Sequence, residues 1–394
     1  MFSAILLVQD DHFGAALEKL ALESKQLSFV KNLDRIPSPK ELARLLETHK
    51  ADLVFLDLSD WPNALAAAAE IHERVPETAI IGFGAGWNDG HEAQCAEAGI
   101  TELLVSPVTM KKFLDAVDRA IHKSGSLIQD NLFAFLPSKA GSGSTTVALN
   151  TAGYLADRSQ RDFPAKKVLL IDGDLNSGVI AWLLDSVHPF TLLDALENSS
   201  HLDTSEWMKF VARRKDFDVL ISDHRRRSLL PSWSNYHHLL DFAGARYDRI
   251  LVDLPEVVND ATVETVRRAK RVFIVCTPEP ASLALAMYRS DELTGRGISR
   301  EKIGVILNRW HKGEIEAGVL EKKLKLSVDI VFGNDYPTVS TASSACGIVD
   351  RNTRLGKSLA AFAKQLAGGS DTPGRPGFSL LEGFGLRATP QPQV

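Results

Sequence analysis

The residues with chemistry to offer gather at the ends of three apolar runs. Lys139-Ala140-Gly141-Ser142-Gly143-Ser144-Thr145-Thr146 follows the run Leu132–Leu136 and precedes the helical pattern Val147-Ala148-Leu149-Asn150. Glycines in such a loop let backbone N–H groups turn inward around a phosphate, and the following helix adds the positive end of its dipole. Thr145 stands where a phosphate-loop hydroxyl ligates Mg²⁺, whereas Ser144 takes the position that ordinarily carries lysine, so a point charge is missing. Two further runs end in carboxylates, Val168–Ile171 before Asp172-Gly173-Asp174 and Arg249–Val252 before Asp253-Leu254-Pro255. Taken singly, the loop could be a tight strand-to-helix turn and the aspartates strand-end caps. Several such signals in one order point instead to a nucleotide phosphate site.

From Lys139 to Arg309 the order and spacing resemble the MinD/ParA ATPases, whose deviant Walker A loop reads K-G-G-x-G-K-T-T. Lys139 matches the early lysine of that loop, Ala140 replaces its first glycine and Ser144 its second lysine. The resemblance implies that Gly141, Ser142, Gly143, Ser144, Thr145 and Thr146 surround the phosphates of ATP. It further implies that Lys139 reaches across a homodimer to the partner's nucleotide. Asp172 and Asp253 would hold Mg²⁺ together with Thr145, and Asp174 would position the attacking water. Leu307-Asn308-Arg309 resembles the strand end that contacts adenine, making Asn308 and Arg309 nucleotide-binding candidates. With serine at 144, hydrolysis is expected to be slow or absent, and the chain at most a weak ATPase.

The elements that must position these residues read as two α/β series. Over 1–122, short apolar runs at Ala4–Val8, Leu53–Leu56, Ala79–Ile81 and Leu103–Val105 alternate with amphipathic segments, which predicts a parallel sheet with helices on both faces. Ser38-Pro39-Lys40-Glu41 has the form of a capping box with proline at the first helical position. Small polar residues make 123–130 a linker. Over 131–368, Leu132–Leu136, Val168–Ile171, Phe217–Ile221, Arg249–Val252, Val272–Cys276 and Val305–Leu307 read as buried parallel strands. Fold class is therefore α/β, with two doubly wound parallel-sheet domains. Residues 369–394, rich in Gly, Pro, Ser and Thr, form an expected flexible tail. Its Phe378, Leu380, Leu381, Phe384 and Leu386 suit either insertion among lipid headgroups or docking on protein.

The front series resembles a response-regulator receiver, with Asp57 at the phospho-acceptor position. Gln9 replaces the first acidic residue, leaving Asp10; Gly82-Phe83-Gly84 supplies no hydroxyl; and Ser106 stands in place of the lysine before Pro107. The favoured expectation is an atypical receiver used for docking or dimerisation, with Asp57 a strand-end carboxylate. An atypical receiver joined to a degenerate MinD/ParA-type ATPase is similar to the TadZ/CpaE family over residues 1–368. That resemblance implies a cytoplasmic factor at the cell pole or inner-membrane periphery that organises Tad/Flp pilus assembly beside the secretion machinery.

Composition bounds these readings. The 394 residues call for two or three domains at roughly 150 residues each, and 44% hydrophobic with 24% charged residues is ordinary globular composition. A net charge of −5, from 45 basic and 50 acidic residues, gives no global field that recruits DNA. His224-Arg225-Arg226-Arg227 is the densest basic run, a surface loop or a local phosphate contact, and no nucleic-acid partner is expected. Cys95, Cys276 and Cys346 have no metal or disulfide spacing, which suits a reduced compartment. No stretch of 18 apolar residues suggests a membrane span, and membrane contact is left as indirect or unknown.

Overall fold

The computed structural model describes residues 2–9, 11–49, 51–76, 78–86, 89–123, 129–159, 163–222, 231–314 and 317–368. Asp10, the run His224–Arg227, residues 124–128 of the predicted linker and the tail 369–394 lie outside the described residues, together with the readings attached to them.

The chain divides into two units: one of Met1–Gln129 with Leu196–Leu202 and Ser228–Leu239, the other of Asp130–Ala195, Asp203–Arg227 and Leu240–Val394. Two short stretches group with the front series, and within that unit the Trp233 ring lies 4.7 Å from the ring of Phe2. Such long-range aromatic contacts leave no local periodicity to read.

The first unit is built on β1 (Phe2–Leu7), β2 (Leu27–Leu33), β3 (Leu53–Asp57), β4 (Ala79–Gly84) and β5 (Glu102–Val105). They form one parallel sheet in the order β2-β1-β3-β4-β5, the doubly wound order 2-1-3-4-5. Period-two alternation feeds two cores: Ala4, Leu6, Leu53 and Phe55 enter one, while Ile5, Leu7, Val54 and Leu56 enter the other. Both sheet faces are thereby covered by helices, as a parallel sheet requires. β2 escapes the sequence reading because it is an edge strand whose residues after Leu27 are only partly buried or exposed. The Glu41 carboxylate accepts from Arg35 Nη2 at 2.9 Å.

The second unit holds β6 (Gln129–Pro137), β7 (Val168–Asp172), β8 (Ala212–Arg214), β9 (Phe217–Leu220), β10 (Arg249–Asp253), β11 (Ala269–Cys276), β12 (Ile303–Trp310) and β13 (Ser327–Gly333). The sheet order is β13-β12-β11-β6-β10-β7-β9-β8, with β8 antiparallel to β9. Phe133 and Phe135 of β6, Leu170 of β7, Leu251 of β10 and Phe273 of β11 share one core with the helices Ser144–Ala156 and Arg354–Ala367. β10 lies between β6 and β7 and runs parallel to both. The loops after these three strands therefore emerge at one edge of the sheet, where ligands bind in open α/β folds.

Candidate functional site

Backbone conformation shapes the loop after β6. Gly141 and Gly143 adopt φ of +79° and +94°, values that disfavour any residue with a Cβ. The Ser142 amide donates to the Lys139 carbonyl at 3.2 Å, closing a turn, and helix Ser144–Ala156 starts at Gly143 without a side-chain cap. Amides of an uncapped first turn are the donors that an anion takes up. Asn308, at the end of β12, donates its amide to the Ser142 carbonyl at 2.9 Å. A Cβ on Gly143 would lie 2.3 Å from Asn308 Nδ2, so a side chain there would have to displace the Asn308 amide from the loop.

The side chains divide by what they touch. Ser144 Oγ and Thr145 Oγ1 donate to the two carboxylate oxygens of Asp253, each at 2.6 Å. The hydroxyl of buried Ser144 thus faces the Asp253 carboxylate. Lys139 Nζ sits 3.2 Å from Glu279 Oε2 in a half-exposed ion pair, a contact of small net worth that another anion can replace. Thr146 lends its carbonyl to Asn150 Nδ2. Arg309 is exposed with a left-handed φ of +56°.

Asp253 and Asp172 are register partners on β10 and β7, placing two buried carboxylates side by side. Asp172 Oδ2 accepts from Ser222 Oγ at 2.8 Å and from the Ile180 amide at 3.1 Å, while its Oδ1 is buried without a hydrogen-bond partner. Burial pushes Asp172 up to about 6, against the hydrogen bond from Ser222. Burial, and then the neighbouring Asp172 charge, push Asp253 up to about 7 despite its two hydroxyl donors. Raised carboxylates with an orphaned oxygen fit a divalent cation, which would restore both to the charged form. Mg²⁺ is ordinarily held by one or two carboxylates plus substrate phosphates, the donor set that Thr145, Asp253 and Asp172 can supply beside the loop. Asp174 is engaged nearer home: Oδ1 accepts from the Asn176 and Ser177 amides and Oδ2 from Ser177 Oγ at 2.6 Å.

Three polar side chains of this edge carry no motif. Glu256 Oε2 accepts from the Ala140 amide at 2.8 Å, Arg289 lies against Glu256, and Ser222 holds Asp172. Glu256 follows Pro255 directly and could have been found by following the chain past Asp253; Arg289 lies within helix Pro280–Gly295 and gives no local signal.

The chain resembles known proteins in both of its series. No family model matches the sequence. Over 248 residues it is 24% identical to the septum site-determining protein MinD of Thermotoga maritima, covering 60% of this chain and 88% of that one. The structure of a ParA family ATPase from Chlorobium tepidum superposes with a TM-score of 0.52 at 22% identity, over 59% of this chain and 98% of that one. MinD of Pyrococcus horikoshii, solved with Mg-ADP, gives 0.50 at 19% identity over 60% and 95%. About three fifths of the chain shares the fold of these MinD and ParA structures. A separate match, 34% identical over 111 residues, is to the transcriptional regulatory protein CitT of Bacillus subtilis and covers 28% of this chain. It spans only about half of that regulator, 48% of its length.

In the first unit, Asp57 ends β3 and is 1% exposed. Its Oδ2 accepts from the Gln9 amide and its Oδ1 from the Ser59 amide, both at 2.9 Å. Ser106, at the lysine position, is exposed. The acceptor position is thus a carboxylate tied to neighbouring backbone.

Proposed function

We propose that the chain is an ATP-binding localisation and assembly factor for Tad/Flp type IV pili, of the TadZ/CpaE kind. In this reading it works as a homodimer that Mg-ATP stabilises, with slow or absent hydrolysis, at the cytoplasmic pole or inner-membrane periphery. One observation carries it: a MinD/ParA-type phosphate loop whose Ser144 is bonded to Asp253 occurs in the same chain as a five-stranded sheet of order 2-1-3-4-5 with a tied-down Asp57. The likeness to CitT supports an atypical receiver in the first role, and the likeness to MinD supports a positioning ATPase in the second.

Bound Mg-ATP would supply the charge that draws the loop amides, Thr145 and the acidic pair into one site. Gly141 to Thr146 would bind the phosphates, Asp172 and Asp253 the cation, and Asn308 would hold the loop in place through the Ser142 carbonyl. Lys139, released from Glu279, would turn toward the partner's nucleotide. The domain division at 123–130 and the docking role of residues 1–122 belong to the same proposal, and the partners are components of the pilus secretion machinery rather than nucleic acid.

The test is calorimetric titration of the full chain with ATP and Mg²⁺, with light scattering on the same samples. Micromolar binding accompanied by a monomer-to-dimer shift is expected, and Lys139→Ala should remove the shift while leaving the chain folded. ATP-dependent dimers that survive Lys139→Ala would refute the cross-dimer role. The engagement of Ser144 by Asp253 and of the Ala140 amide by Glu256 favours a second reading, a nucleotide-independent scaffold. That reading predicts dimers of unchanged stability with or without ATP. Nonspecific DNA binding at low salt by these samples would favour a ParA-like partitioning ATPase instead.

A further inference from the structure

A loop that lost its lysine has to balance phosphate charge in another way, and the structure holds a cation one carboxylate away. The Ala140 amide, the second residue of the loop, donates to Glu256 Oε2 at 2.8 Å. The other oxygen of the same carboxylate, Oε1, lies 3.6 Å from Arg289 Nη2. Arg289 projects from helix Pro280–Gly295, which follows β11, and its side chain is 19% exposed. Nη1 bonds Glu292 Oε2 at 3.0 Å, and Nε is buried without a hydrogen-bond acceptor. Gly141 leaves open space beside Ala140, since a Cβ there would meet nothing within 4 Å. An acidic oxygen on a phosphate-loop amide, backed by guanidinium, is the arrangement a phosphate would make with the same two groups.

We propose that Arg289 supplies the phosphate-binding cation that the loop lacks at Ser144, and that Glu256 occupies the Ala140 amide until a nucleotide phosphate displaces it. The inference rests on the nucleotide-binding reading above and names how that site is completed and guarded. Arg289 reaches Glu256 only through Nη2, at 3.6 Å, a long contact that a phosphate oxygen at the Ala140 amide could replace with a closer one. Guanidinium binds phosphate as a planar fork, whereas Ser144 offers only a hydroxyl that Asp253 has taken. Glu256, 39% exposed, can leave the loop without losing a buried partner.

Two substitutions have opposite expected signs, which separates this role from a merely structural one. Fluorescence titration of the full chain with a labelled ATP and Mg²⁺ is expected to show Glu256→Gln binding about tenfold more tightly than wild type, because the competing anion is gone. Arg289→Gln is expected to weaken binding roughly ten- to a hundredfold, and Arg289→Lys to recover part of the loss. Circular dichroism melts of each variant check that the chain remains folded. If both substitutions weaken binding together, the pair only braces the loop and the proposal is overturned. If wild type binds and neither substitution changes its affinity, the proposal falls while nucleotide binding stands. Absence of binding at millimolar ATP in wild type and in Glu256→Gln alike would overturn the nucleotide reading, and the proposal with it.

Discussion

Asp253→Asn reads the electrostatics of the site through stability alone, with no ligand present. In wild type the Asp253 carboxyl is pushed from 3.8 to about 7, first by burial and then by Asp172. A group whose folded pKa exceeds its unfolded one favours the folded state while it is protonated. That contribution is complete below about pH 4 and is lost as pH rises through about 7, so the Mg²⁺-free chain becomes less stable across this interval. Three units at 1.36 kcal/mol each set an upper limit of about 4 kcal/mol, and relaxation around the ionised group leaves about 2–3 kcal/mol to be read. Asparagine keeps the shape and one acceptor for Ser144 or Thr145 but never ionises. Losing the second acceptor costs about 1 kcal/mol at every pH, which offsets the profile without tilting it. The assay is thermal unfolding of both proteins in chelator at pH 5, 6, 7 and 8. Between pH 5 and 8, where about two thirds of that contribution is lost, the midpoint of wild type should drop relative to the variant by about 3–8 °C, at 2–4 °C per kcal/mol for a domain of this size. Parallel profiles over the whole range would refute the reasoning, because they would mean that Asp253 ionises at no cost.

The remaining predictions address the loop and the core. Ser144→Lys restores a point charge to the phosphates, and the expected result is MgATP binding at least about tenfold tighter, with phosphate release rising above wild type; unchanged affinity and turnover would show that position 144 does not limit the site. Gly143→Ala and Gly141→Ala both force a Cβ onto a left-handed backbone, but only the first also strikes Asn308, at 2.3 Å. Stability read from thermal unfolding should therefore fall further for Gly143→Ala, by about 1–3 kcal/mol against about 1 kcal/mol for Gly141→Ala. Arg268, 2% exposed, pairs with Glu264, itself 1% exposed, at 3.5 Å, and also contacts Asp241. Arg268→Ala leaves Glu264 as a buried charge stripped of this partner and should cost about 3–5 kcal/mol in urea unfolding.

The sequence was most legible where one residue type is forced by one physical need. β6, β7 and β10 are buried on both faces, so their apolar runs are continuous and their ends are marked by Pro137, Asp172 and Asp253. The glycine loop after β6 is legible because Gly141 and Gly143 hold conformations that other residues avoid. β2 stayed hidden because an edge strand needs only Leu27 inside, and β8 because three residues carry no period. Side-chain partners were less legible still. The spacing marks Ser144 as a missing lysine, but only the fold shows its hydroxyl spent on Asp253. Glu256 and Arg289 lie 116 and 149 residues from Ala140, where no local pattern connects them.

Replacing lysine by serine at position 144 does more than subtract a charge. The hydroxyl that replaces the ammonium turns inward and gives Asp253 a second donor beside Thr145. Hydrogen bonds to the ionised form oppose the burial that raises this carboxyl, so Ser144 eases Asp253 toward the charge that a cation requires. On the proposed reading, the loop therefore shifts its means of neutralising phosphate from a lysine to a cation held by Asp253 and Asp172, with Arg289 beside Glu256 at the Ala140 amide. Both replacements suit binding better than turnover. A loop lysine can follow charge as it develops on the transferred phosphoryl group, whereas Arg289 is also tied to Glu292, and Asp174 spends its oxygens on Asn176 and Ser177. A site arranged this way favours a long-lived bound state, which is what a nucleotide-stabilised dimer needs and what a rapid ATPase does not.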